Sequence, residues 1–246
     1  MPLSIEVSGF AINVSSASEV SGLTVSGIST ANSNDIVYVW VGQTYSGTVA
    51  ISGGGLTWTQ RIPIFGQGGI LGRSFYGIAA STLSNANITV GSFSNSGSKN
   101  YAYLAVVSVA GANTSSPFDG NASIPLTLSG TGSVQGAAQS GVVSTTNAND
   151  ILLAFMATAA YSGWGYHASG WTQLSQTSGQ TTGGSAATEY LIVSSAQTSA
   201  PVSFVSGSTA AGSLWILAGD AIQAASAAAP SFFQHSGPLR LKRFNR

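Results

Sequence analysis

The chain has 246 residues, 43% of them hydrophobic and only 6% charged, with a formal net charge of zero and no cysteine. An average soluble domain carries about 25% charged residues, so the polar surface here must consist of Ser, Thr, Asn, Gln and Gly. This excludes disulfides and thiolate metal sites, argues against a disordered chain, and leaves room for a sizeable core.

The opening segment MPLSIEVSGF has neither a basic n-region nor a long apolar h-region, so no secretory signal is expected. No run of 18 apolar residues occurs, so no membrane span is expected. Next, GLTVSGI (22–28) alternates apolar and polar positions, the pattern of a half-buried strand. DIVYVWV (35–41) is instead continuously apolar, which suits a strand covered on both faces. In LTWTQRIPI (56–64), Leu56, Trp58, Gln60, Ile62 and Ile64 share one face, and Pro63 marks an edge strand or a strand end. YAYLAVVSVA (101–110) is a second continuous run, and IPLTLSG (124–130) alternates. ILLAFMATA (151–159) and SLWILAG (213–219) complete the set of doubly covered strands. Gly-rich stretches such as GGGL, GQGG and SGTGS punctuate the runs. The one helical window is a short Ala-rich piece at 218–229.

Much of the chain occurs twice. STANSNDIVYVWV (29–41) is echoed by STTNANDILLAFM (144–156), with Asp35 matching Asp150 at an offset of 115. TYSGT (44–48) is echoed by AYSGW (160–164), Trp58-Thr59-Gln60 by Trp171-Thr172-Gln173, Tyr76 by Tyr190, and ITV (88–90) by VSF (202–204). These matches keep one order, with offsets of 113 to 116. The expected fold is therefore all-β: a jelly-roll-like β-sandwich with an internal pseudo-two-fold duplication over residues 1–225. The half-repeats run over about 1–112 and 113–225, either as one pseudo-symmetric unit or as two tandem sandwiches.

Catalytic chemistry finds little support. There are two histidines, His167 and His235, and no G-x-S-x-G elbow. The seven acids are Glu6, Glu19, Asp35, Asp119, Asp150, Glu189 and Asp220, none paired closely in sequence as a glycosidase strand would place them. The repeated Asn34-Asp35 and Asn149-Asp150 read as turn chemistry. PFDGNAS around Asp119 reads as a turn and falls short of a calcium loop. No cofactor, metal or catalytic residue is expected.

Two segments stand out. YSGWGYHASGW (161–171) is the densest aromatic cluster; Tyr161 and Trp171 have repeat partners, which leaves Trp164, Tyr166 and His167 as candidate glycan contacts. Residues 226–246 form a basic, aromatic C-terminal arm. Phe232, Phe233, Arg240, Lys242, Arg243 and Phe244 are its candidate docking residues, since aromatic anchors beside arginine are typical of interface hot spots. Before the terminal basic cluster that starts at Arg240, residues 1–239 carry three basic and seven acidic residues, so a nucleic-acid partner is not expected.

Asn34-Asp35-Ile36, Trp58-Thr59 and Phe75-Tyr76, repeated at Asn149-Asp150-Ile151, Trp171-Thr172 and Glu189-Tyr190, resemble the scaffold of Ser/Thr/Gly-rich β-sandwich virion proteins from phage and metagenomic sources. The resemblance covers about residues 20–225. It implies a non-enzymatic structural protein: an exterior capsid decoration or a head or tail fibre component, assembled in the host cytoplasm. The implied partners are copies of itself, as in a trimer, and other virion proteins. The alternative function is a carbohydrate-binding module or receptor-binding domain for a surface glycan.

Overall fold

The structure is a computed structural model, and it describes residues 2–15, 19–20, 22–44, 48–91, 93–94, 100–131, 138–159, 164–176, 184–206 and 214–225. The first half contains β1 (Ser4–Ser15), β2 (Glu19–Val20), β3 (Leu23–Ile28), β4 (Ile36–Gln43), β5 (Ile51–Gly53), β6 (Thr59–Gln67), β7 (Ile70–Ile78), β8 (Ala86–Val90), β9 (Phe93–Ser94) and β10 (Asn100–Ala110). The second contains β11 (Leu126–Thr131), β12 (Ala138–Val143), β13 (Ile151–Thr158), β14 (Trp164–His167), β15 (Thr172–Gln176), β16 (Ser185–Ile192), β17 (Ala200–Ser206) and β18 (Leu214–Ile222). The fold is all-β, and the described residues contain no helix. The Ala-rich window is a correction: residues 218–222 are strand, because β18 inserts between β11 and β13 and its backbone is claimed by both neighbours.

Each half makes a five-stranded and a three-stranded sheet. The first half orders them β1-β10-β4-β7-β6 and β3-β8-β5; the second orders them β11-β18-β13-β16-β15 and β12-β17-β14. Strand for strand, the two orders match. Within each half the first main strand pairs with the last, the second with the last but one, and the third with the sixth. A long antiparallel hairpin rolled over a core gives those pairings, which is the jelly-roll arrangement.

Three apolar cores separate four layers. Val37, Val39 and Val41 of β4 and Leu104 and Val106 of β10 pack on Val25, Ile28, Ile88 and Val90 of the first outer sheet. Leu152 and Met156 of β13 pack on Val143, Val202 and Phe204 of the second. The largest core lies between the two five-stranded sheets, where Tyr38, Trp40, Tyr103 and Val107 meet Leu153, Phe155, Ile216 and Ile222. Trp40 and Phe155 occupy matching positions of the two halves, and their rings stack across this seam with centroids 5.7 Å apart and planes 10° off parallel.

Double coverage explains why the central strands are apolar without alternation: all eight residues of β4 and all eight of β13 are buried. β3 borders solvent on one face and alternates, as its sequence does. β6 is the edge strand of its sheet, which frees Pro63 from donating to a ladder. Its simple alternation is broken by irregularities between Gln60 and Ile62 and between Ile62 and Phe65, so Ile62 is buried while Ile64 is 48% exposed.

Candidate functional site

Trp164, Tyr166 and His167 belong to β14, the edge strand of the second outer sheet, with a register shift between Trp164 and Tyr166. Their side chains lie outside what the structure describes, as do Phe232, Phe233, Arg240, Lys242, Arg243 and Phe244. Trp171 belongs to the core of the second sandwich. The described chemistry lies elsewhere, in acids turned inward.

Five of the seven acidic residues are buried: Asp35, Asp119, Asp150, Glu189 and Asp220. Ionised groups are almost never buried without partners, so each one requires an explanation.

Asp220 faces the seam from β18. The Arg61 guanidinium reaches it from β6 in a two-pronged pair, Nε to Oδ2 and Nη2 to Oδ1, both 2.9 Å. The Tyr38 hydroxyl donates to Oδ2 at 2.8 Å, and the amide of Ala221 donates to Oδ1 at 3.0 Å. With its proton given to Asp220, Tyr38 accepts from the Ser74 hydroxyl at 2.8 Å, and Ser74 Oγ accepts from the Ile62 amide at 3.1 Å. Arg61 also lies 4.1 Å over the ring of Phe118, which meets Tyr76 and Tyr38 edge-on. Burial pushes the Asp220 carboxyl upward, while Arg61 and Tyr38 hold it back. Burial and the nearby Asp220 charge raise Tyr38 well above an ordinary phenol. The cluster joins three strands of one half to one strand of the other. It lies in the seam with Asp220 fully buried and the Arg61 side chain 20% exposed.

Two acid pairs occupy matching positions. In the first half, Asn34 takes a left-handed backbone (φ 67°) and Asp35 Oδ2 accepts from the Asn32 amide at 2.8 Å. Glu6 lies beside Asp35 and accepts from the Ala31 amide at 3.0 Å; burial, and then the Asp35 charge, raise its carboxyl. In the second half, Asn149 repeats the left-handed turn (φ 63°). Both Asn residues thus perform turn chemistry, since Asn tolerates this backbone better than other non-glycine residues.

The partner of Asp150 is Asp119, and the two carboxyls are unlike. Asp119 Oδ2 accepts from the amide and hydroxyl of Thr146 (2.8 and 2.9 Å) and from the amide and side chain of Asn147 (3.0 and 2.9 Å). Its Oδ1 accepts from the Asn121 amide at 2.8 Å. Burial opposes its charge, but these donors outweigh burial and hold the carboxyl below the usual range. Asp150 is fully buried, and neither of its oxygens meets a donor. Burial first, then the neighbouring Asp119, raises it to about 8. The pair therefore holds one proton at neutral pH, with Asp150 as acid and Asp119 as carboxylate. A cation would have to displace donors already committed to Asp119, so the pair suits a proton better than a metal. Among the described residues no group of three or more His, Cys, Asp or Glu comes together.

Glu189 is 1% exposed, faces the second sandwich core from β16, and has no donor on either oxygen. Burial raises it to about 8. The matching position in the first half is Phe75, an ordinary core residue. Sequence reasoning passed over Asp220, Asp119 and Glu189 as members of any cluster. The available signal was rarity: the chain has only seven acids, and Asp220 directly follows the apolar run 213–219. Comparison with protein-family models, curated proteins and solved structures finds no match for this chain.

Proposed function

We propose that this chain is a non-enzymatic structural component of a phage particle's exterior, a decoration or fibre subunit that works packed among copies of itself and other virion proteins. The observation that carries this reading is the inversion of charge. Five acids and Arg73 are buried, and among the described side chains Glu6 and Arg61 are the charged groups that reach solvent, each only in part. Among the described residues the surface is left mainly to uncharged groups. Such a surface lacks the like-charge repulsion that keeps most soluble proteins apart, and near-zero net charge favours association. The described acids meanwhile serve the interior, in the seam, two turns and the second sandwich core.

The test is sedimentation of the full chain across concentration and salt. A discrete symmetric oligomer, insensitive to salt from low to high ionic strength, is expected. A monomer at every concentration, with no protein retained on purified particles, would sink the proposal. The second reading, glycan recognition, draws on the edge position of β14. It requires glycan-array binding that disappears in Trp164→Ala.

A further inference from the structure

An open groove of about 510 Å3 is lined by Leu3, Asn149, Ile192, Val193, Ser194 and Ala225, among others. Ile192 is 48% exposed there, one of three large apolar side chains so exposed among the described residues. The groove is large enough for aromatic rings and sits in the range of small-ligand sites. Its margin is also where the described chain ends: the Ala225 amide donates to the Gly111 carbonyl at 2.8 Å, which anchors the chain beside the groove before residues 226–246 begin.

We propose that this groove receives Phe232 and Phe233 of the same chain, so that the C-terminal arm is held against its own body. Reach permits it. Phe232 lies seven positions beyond Ala225, and seven extended steps span about 23–25 Å, ample for a return to a groove that starts at the anchor itself. The tether also places the two rings at an effective concentration on the order of millimolar, which an untethered partner must match. The first half shows the same solution at its own exit. The chain leaving β10 stays on the body, with the Gln223 amide donating to the Pro117 carbonyl at 2.9 Å and the Asp119 amide to Ala221 at 3.1 Å. It then sets the Phe118 ring edge-on against Tyr76, centroids 5.0 Å apart. Pro117-Phe118 and Pro230-Ser231-Phe232-Phe233 share this proline-then-aromatic order.

Because the chain has no cysteine, an introduced pair reports directly. Ser194→Cys with Gln234→Cys is expected to close a disulfide within one chain under mild oxidation, at least tenfold faster than Ser194→Cys with Asn245→Cys. A product at dimer mass would assign the groove to another copy's arm and overturn the proposal, as would equal or slower closure than the control pair. Hydrogen exchange supplies the second measurement. Amides of residues 192–194 are expected to lose protection several-fold in Phe232→Ser/Phe233→Ser; unchanged protection overturns the proposal.

Discussion

The seam between the sandwiches has two sides related by the matching of the halves, and they solve the same packing problem with opposite chemistry. On one side sit Arg61, Tyr38, Ser74 and Asp220, bonded into a network. The strand registers place Leu174, Leu153, Thr188 and Val107 at the matching positions on the other side. Those four residues line a small cavity of about 10 Å3. One side is ionic and directional; the other is apolar and slightly loose. The molecule thus contains its own comparison between a buried ion pair and a hydrophobic replacement. The general expectation is that the pair adds specificity of docking more than net stability, because desolvation offsets most of the attraction.

The sharpest way to break this comparison is to remove one member. Arg61→Leu leaves Asp220 buried and uncompensated, and is expected to cost about 3–5 kcal/mol in urea unfolding. Arg61→Leu with Asp220→Val copies the apolar side and is expected to recover most of that loss. A single variant costing under about 1 kcal/mol would show that the network does not bridge the halves.

A second contrast is Phe75 against Glu189. Glu189→Leu restores an apolar interior and is expected to stabilise the protein by about 1–3 kcal/mol, the usual penalty of an unsatisfied buried polar group. The gain is expected to grow with pH. An acid whose folded pKa exceeds its unfolded value holds more protons when folded. Glu189 and Asp150, both raised to about 8, thus contribute stability that is complete below their ordinary values of 4.5 and 3.8 and is lost as pH rises toward about 8. Asp119 has the opposite sign: its lowered carboxyl contributes above the ordinary value and loses that contribution in stronger acid. The melting temperature is expected to peak near about pH 4–5, in the ordinary carboxylate range, and to fall toward pH 8. Glu189→Leu combined with Asp150→Asn is expected to flatten that slope in a calorimetric pH series. An unchanged slope would assign it to other groups.

The smallest effect tests what the halves share. Asn34→Ala and Asn149→Ala force alanine into a left-handed backbone and are each expected to cost about 1–2 kcal/mol, with Gly at either position close to neutral. Unequal costs would show that one turn bears more than its twin.

The strands were legible in the sequence where burial writes a pattern. DIVYVWV and ILLAFMATA announced strands covered on both faces, and Pro63 announced an edge or a strand end, of which the edge is found. The repeat was legible because turns and tryptophans recur at nearly constant spacing. The layering was not, since a continuous apolar run does not say whether its second face meets a small sheet or another half. The acid clusters were illegible for a related reason. Asp220 and Arg61 lie 159 residues apart, and only the back-to-back docking of the sheets brings them together. Trp164, Tyr166 and His167 drew attention by composition alone, whereas Asp119 and Glu189 became visible only through the donors they hold or lack.

Sharing one core between two sandwiches also constrains synthesis. At about 5–20 residues per second, the second half leaves the ribosome on the order of ten seconds after the first. Over that interval the inner face of the first five-stranded sheet, with Tyr38, Trp40 and Tyr103, has no layer to cover it. The nascent first half must therefore wait, sticky on one side, for its twin, and crowded polysomes give it other copies of the same face to meet. The Arg61 fork selects against such mispairing: two first halves brought face to face would set Arg61 against Val107, the counterpart of Asp220, and leave the guanidinium without its carboxylate.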